Sequence, residues 1–212
     1  MILHDFWRSS AAYRVRIALH LKGIAFTQSM HSLPRGEQRS AEYLALNPQG
    51  LIPAIESGQD VVTQSLAIIE YLDERHPGLP LLPKDAAGRA TVRAMALSIA
   101  CDIHPLNNLR VLNYLRSEFG ADEEAVTRWI RHWIGSGFDA LEMQVKRTSG
   151  DGRFCFGDSP TLADACLVPQ MYNARRFGCD LSTYPSLVAI DTHCRSLAPF
   201  AKAAPEAQPD AN

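Results

Sequence analysis

Three adjacent residues near the start of the chain have the chemistry to stabilise an anion. Arg8, Ser9 and Ser10 lie where a short apolar run, Met1 to Leu3, gives way to a stretch from Ala11 to Lys22 whose apolar spacing predicts a helix. A helix that begins there presents unpaired N–H groups and a partial positive charge at its first turn. Ser9 or Ser10 could cap it. The same arrangement, with a hydroxyl donor, would also draw a thiol's pKa down from about 8.5 toward neutrality. Ala11 and Ala12 follow, so the segment has no cysteine of its own, and the thiol would have to arrive with a ligand.

Two further stretches could hold an extended, acidic ligand. In NPQGLIPA, residues 47–54, Pro53 directly precedes a predicted strand. It is either an ordinary edge residue or a cis proline. In the cis form Ile52 would turn its backbone N–H and C=O outward, as a strand edge does, to pair with a peptide. In TQSLAIIEYL, residues 63–72, Ser65 is expected to cap a helix over Leu66–Arg75. Gln64 and Ser65 would add amide, hydroxyl and helix N–H groups suited to a carboxylate. A fourth stretch, FGDSPTLADA at 156–165, sets Thr161 and Asp164 at capping-box spacing and reads as structural.

These residues need a scaffold, and the first eighty positions alternate strand and helix. Strands are expected at Ile2–Leu3, Ala25–Met30, Pro53–Glu56 and Val61–Thr63, with helices at Ala11–Lys22, Ala41–Leu46 and Leu66–Arg75 and a polar loop over His31–Arg39. The order β-α-β-α-β-β-α implies a small mixed sheet with helices on its faces. After Leu82-Pro83-Lys84 strand patterns almost vanish. A helix over Arg89–Phe119, interrupted at Pro105, leads to a stripe at helical spacing: Val126, Trp129, Ile130, Trp133, Ile134, Phe138 and Leu141. Helices over Leu162–Phe177 and Leu187–Leu197 follow, and the chain ends in a low-complexity tail. The reading is an α/β domain over 1–83 and an all-α domain over 88–212.

Composition narrows the function classes. With 46% apolar residues the chain can bury a full core, and a net charge of −2 without a basic tract gives no footprint for nucleic acid or an anionic membrane. No apolar run approaches the ~20 residues of a spanning helix, and His4, Asp5 and Arg8 occupy the place of a signal peptide's apolar stretch. The expected location is cytoplasmic. Five cysteines without a CxxC, and seven histidines without an HExxH, argue against a disulfide framework and a metal site.

Taken in order, FWRSSAAYRVRIAL, ALNP, QSLAIIEYL, CDIHPLNNLR, FGDSPTLAD and LVPQ span nearly the whole chain. They resemble the zeta class of the glutathione transferase superfamily, which includes cis–trans isomerases of maleyl diketo acids. The resemblance implies a thioredoxin-like first domain, an all-helical second domain, a homodimer, and glutathione as the incoming thiol. By position it implies that Ser9 donates to the sulfur and that Gln64 and Ser65 hold the γ-glutamyl end. Ile52, beside a cis Pro53, would pair with the cysteinyl backbone. Gln38, His104 and Asn108 would meet the glycyl end. Arg8 and Arg176 become clamps for the substrate's carboxylates, a task that suits the planar guanidinium. Arg14, Arg16 and Arg175 are read as surface ion-pair partners. The expected activity is glutathione-dependent isomerisation of maleylpyruvate or maleylacetoacetate in aromatic-compound breakdown. A conjugating transferase or dehalogenase is the alternative, and a non-enzymatic glutathione-binding module the third reading. Two positions depart from the class: Ala11 stands where cysteine is common, and Ile52 where valine is.

Overall fold

The computed structural model describes residues 1–211, which divide into two compact units. The first comprises Met1–Leu81 together with the chain from Ser196 onward; the second runs from Leu82 to Arg195. The C-terminal segment therefore packs with the first unit, not with the helical domain of 88–212 to which the sequence reading assigned it.

In the first unit, β1 (Ile2–Asp5) leads to α1 (Ser10–Leu21), β2 (Thr27–Met30), α2 (Ala41–Leu46), β3 (Ala54–Ser57), β4 (Asp60–Thr63) and α3 (Ser65–Arg75). The sheet order is β2-β1-β3-β4, with β1 parallel to β2 and antiparallel to β3, and β3 antiparallel to β4. This is the thioredoxin-like arrangement. β2 starts two residues later than its apolar pattern suggested, because Ile24 N–H closes onto Leu19 O at the end of α1 and pairing with β1 begins only at Ile2↔Thr27. The polar loop after β2 contains two short 3-10 turns, Leu33–Arg35 and Glu37–Arg39.

α1 is buried from Ala12 through Leu19, including Arg14 and Arg16. Neither arginine lies on the surface as expected. Arg16 NH1 bonds Asp5 Oδ1 at 2.7 Å, and both side chains are fully buried. Arg16 also donates to Trp7 O at 2.9 Å and to Ala203 O at 2.9 Å. Ala203 ends α9 (Ala198–Ala203), a short helix the sequence pattern did not suggest, which packs on α1. Beyond it Gln208 accepts from Gln28 Nε2 at 2.8 Å, and Asp210 accepts from Trp7 N–H at 3.1 Å. Gln208 and Asp210 of the low-complexity tail are thus held by polar contacts with the sheet and the β1–α1 turn.

The second unit consists of α4 (Ala86–Leu97), a π turn (Ser98–Ile103), a 3-10 turn (Pro105–Asn107), α5 (Leu109–Phe119), α6 (Glu123–Thr148), α7 (Leu162–Arg176) and most of α8 (Pro185–Ser196). The predicted long helix breaks at Ser98, ahead of Pro105. α6 crosses close to that break at Gly137, where a Cβ would lie 2.3 Å from Ile103 Cδ1. The expected stripe buries Val126, Ile130, Ile134, Phe138 and Leu141, while Trp129 and Trp133 flank it half-buried. Asp164, fully buried, accepts from Thr161 N–H, Thr161 Oγ1 and Cys155 N–H at 2.7–2.8 Å, which anchors the start of α7. Arg175 pairs with buried Asp191 at 2.7 Å.

Arg16→Met should leave Asp5 charged and buried without its partner. The expected loss is about 3–5 kcal/mol in guanidinium chloride denaturation. The double change Asp5→Asn with Arg16→Met should lose less than the single one. A single variant within about 1 kcal/mol of wild type would show that the pair does not anchor this unit.

Candidate active site

Strand register gathers the candidate residues of the first unit at one end of the sheet. Asp5 pairs with Met30, and Ala54 sits opposite both His4 and Thr63. Four connections therefore meet at that end: Phe6–Ser9 after β1, the loop after β2 that carries Gln38, Ile52–Pro53 before β3, and Gln64–Ser65 after β4.

At the first connection Ser9 is the N-cap of α1, and its Oγ accepts from Ala12 N–H at 3.2 Å. Ser10 is the first helical residue and is buried. A hydroxyl has one donor hydrogen and two lone pairs, so capping leaves the Ser9 O–H available to donate. Capping and anion stabilisation, which the sequence posed as alternatives, are compatible in the one residue. Arg8 next to it is half-buried, with its guanidinium carbon 5.2 Å from the centroid of the Trp7 ring. Trp7 in turn packs on the apolar cluster of Phe6, Ala12, Tyr43, Ile52 and Ala54.

The third connection is held by two residues the sequence reading passed over. The Ile52–Pro53 peptide bond is cis. Just before it, Leu51 O accepts from Tyr43 OH and from Asn47 Nδ2, each at 2.7 Å. Asn47 is almost fully buried, which its position at a helix stop before proline did not reveal. Gly50 approaches the second connection so closely that a Cβ there would be 3.0 Å from Gln38 O. Among the described residues, Gln38 Oε1 is buried without a hydrogen-bond partner. The start of that same loop is tied down by His31 Nε2 against His4 Nδ1 at 2.9 Å. Burial pulls the His31 pKa below the usual histidine value.

At the fourth connection the cap differs from expectation. Gln64, not Ser65, occupies the N-cap of α3, with φ 68° and ψ 116°. Among the described residues it is the one non-glycine with positive φ. Its Nε2 donates to Gln49 Oε1 at 2.7 Å, which joins this connection to the third. Ser65 falls inside the first turn and is buried, where its Oγ accepts from Arg14 NH1 at 3.2 Å.

The remaining candidates belong to the second unit, and the first unit's cluster forms without them. His104 lies between the π turn and the 3-10 turn. Asn108 caps α5 through Oδ1, which accepts from Arg110 N–H at 3.1 Å and leaves its amide N–H groups for other partners. Arg176 ends α7, exposed, with its guanidinium carbon 4.8 Å from the Phe177 centroid. Among the described residues no group of three or more His, Cys, Asp or Glu could hold a metal ion.

Residues 8–75 match the model of the glutathione S-transferase N-terminal domain. A probable maleylacetoacetate isomerase of Vibrio cholerae is 51% identical over 100% of this chain and 98% of its own length. The chain belongs to the glutathione transferase family. Within it, a solved maleylpyruvate isomerase, described as a bacterial glutathione S-transferase of the zeta class, superposes with a TM-score of 0.98 at 50% identity and covers 100% of both chains. A maleylacetoacetate isomerase from Methylobacterium extorquens AM1, solved with bound malonate and glutathione, superposes at 0.96 with 40% identity, again over 100% of both chains. The transferase fold of this chain thus extends through the helical unit that the N-terminal family model does not cover.

Gln64 offers a direct measure of the strain stored at this end of the sheet. An L-residue there carries about 1–2 kcal/mol of backbone cost that glycine avoids. Gln64→Gly should therefore be more stable than Gln64→Ala by about that amount in denaturant melts, since both lose the bond to Gln49. Equal midpoints would mean that the backbone relaxes freely at this position.

Proposed function

We propose that the chain is a glutathione-dependent cis–trans isomerase of a maleyl diketo acid, maleylpyruvate or maleylacetoacetate. The observation that carries this reading is the start of α1. There a serine hydroxyl caps the helix with its own hydrogen still available, beside an arginine held on an aromatic ring. Conjugating transferases need the first feature, and a dicarboxylate substrate gives a purpose to the second. The relatives named above, which match over essentially the whole chain, carry the names of a probable maleylacetoacetate isomerase and a zeta-class maleylpyruvate isomerase.

The residues present fit glutathione. Gln38 Oε1 is a buried acceptor without a partner among the described residues, and the starts of α1 and α3 can supply N–H groups to a thiolate and a carboxylate. When bound, glutathione supplies a sulfur nucleophile that adds to the substrate's alkene carbon, allows rotation about the former double bond, and leaves again. The protein's part is to hold that sulfur ionised and the substrate in place. Ser9 donates its O–H to the sulfur, and the first turn of α1 adds its partial positive charge. Ile52 offers its backbone to the cysteinyl residue. Gln64 and Ser65 take the γ-glutamyl end, and Gln38, His104 and Asn108 the glycyl end. Arg8 and Arg176 are each assigned a substrate carboxylate. Each lies over the ring of a neighbouring residue, Trp7 and Phe177, and a planar guanidinium is suited to a two-pronged contact with a carboxylate. The reading includes the homodimer and cytoplasmic location expected of the class and a place in aromatic-compound breakdown. No helix of the described residues is long and apolar enough to cross a membrane.

Ser9→Ala removes one donor to the sulfur and should slow turnover at neutral pH by about 10–1000-fold. The defect should shrink as pH rises, because the thiolate then forms without help. An equal defect at every pH would reduce Ser9 to a helix cap.

Arg8→Met and Arg176→Met should each raise KM for the diketo acid by roughly 10–150-fold, the loss of about 1.5–3 kcal/mol for a charge-assisted pair. Glutathione affinity should hold, as should activity toward an uncharged chloronitrobenzene. Lysine at either position should restore only part of the loss. Parallel losses on charged and uncharged substrates would assign the arginines to the fold or to the sulfur, and would favour a conjugating transferase.

A further inference from the structure

Arg14 is almost fully buried on α1, the helix that Ser9 begins, and its NH1 donates to Ser65 Oγ on the first turn of α3. α1 and α3 pack side by side within the first unit. A guanidinium has donors only, so on this side Ser65 must be the acceptor. The hydroxyl's own hydrogen is then left to point to a different acceptor. The guanidinium also brings a positive charge behind the start of α3, where the helix already presents its positive end. An apolar side chain would fill the space between two helices without burying a cation.

We infer that Arg14 is a positioning residue for the γ-glutamyl carboxylate of glutathione, setting Ser65 as a donor and reinforcing the field at the start of α3. The inference rests on the assignment of Ser65 to that carboxylate. One helix would then serve both ends of the ligand: Ser9 touches the sulfur, and Arg14 acts through Ser65 on the other end.

The test is a cycle of Arg14→Met, Ser65→Ala and the double variant, with glutathione affinity measured by titration calorimetry and kcat at saturating glutathione measured separately. Arg14→Met should weaken glutathione binding by about 10–100-fold, the range for a hydrogen bond to a charged group. Its kcat should stay within about 3-fold of wild type, because the sulfur end is untouched. In the Ser65→Ala background the same change should cost less than about 3-fold further, since the two residues act as a unit. If Arg14→Met does not fold, Arg14→Lys carries the test. Its shorter, single-pronged contact should weaken binding by about 3–10-fold, and only while Ser65 is present. Unchanged affinity in the folded variant overturns the inference, as do losses that multiply independently or a fall in kcat equal to the fall in affinity. A wild-type protein that shows no glutathione binding overturns the glutathione reading itself, and this inference with it.

Discussion

The buried pair of Asp5 and Arg16 is the constraint on which the first unit depends. Two fully buried charges are expensive to desolvate, and a bare pair would not recover that cost. Here the remaining lone pairs and N–H groups are taken up. Asp5 accepts from Phe6 N–H at 2.7 Å and Gln28 Nε2 at 2.9 Å, and Arg16 donates to Trp7 O and Ala203 O. Burial pulls the Arg16 pKa down, and Asp5 opposes that shift. The contacts join the end of β1, the turn that carries Arg8, the middle of α1, β2 and the C-terminal segment. The backbone of Phe6 and Trp7 is held from beneath, so Arg8 and Ser9 leave the sheet in one fixed direction.

That anchoring matters because the site is assembled from connections and not from strands. Connections are ordinarily the mobile parts of a fold. Each of these four is tied to something rigid: Phe6–Trp7 to Arg16, the loop bearing Gln38 to His4, Leu51 to Tyr43 and Asn47, and Gln64–Ser65 to Gln49 and Arg14. The whole chain carries a net charge of −2, yet this end of the sheet combines two helix starts with Arg8 and Arg14. Two helix starts, each with its partial positive charge, therefore face the same end of the sheet as Arg8. The charge count of the sequence gave no footprint for nucleic acid or an anionic membrane, and it has no bearing on the helix starts gathered here.

Features set by near neighbours in the chain were legible in the sequence, and features set by distant partners were not. α2 runs over Ala41–Leu46 as its composition and the following Asn-Pro indicate, and the α6 stripe and the Thr161–Asp164 contact follow from spacing alone. Arg14 and Arg16 were placed on the surface because a charged side chain is rarely buried without a partner. Their partners, Ser65, Asp5 and Ala203, cannot be identified from the helix itself. The signal available was the company they keep, since Tyr13, Val15, Ile17, Ala18 and Leu19 leave α1 no solvent face between Ala12 and Leu19. Composition marks the tail only as low-complexity, yet Gln208 and Asp210 fill hydrogen-bonding positions that only the folded sheet creates. The shift of the α3 cap from Ser65 to Gln64 depends on a backbone conformation that glutamine seldom adopts, so propensity pointed to the wrong residue.

The departure at Ala11 can be weighed with the same geometry. The Ser9 cap is made to the backbone N–H of Ala12, and a backbone donor is present whatever side chain stands at position 11. Losing the class's usual cysteine therefore leaves the cap, the Ser9 hydroxyl and the first-turn field intact. A cysteine at that position would place a second ionisable sulfur in a field that lowers thiol pKa values. It would compete with an incoming thiol for the same stabilisation and be open to oxidation or to attack by an electrophile. With alanine at position 11, the first turn of α1 carries no ionisable sulfur of its own. The four buried or half-buried cysteines lie in the second unit, where burial raises the pKa of Cys155, Cys179 and Cys194, and Cys101 of that unit is exposed.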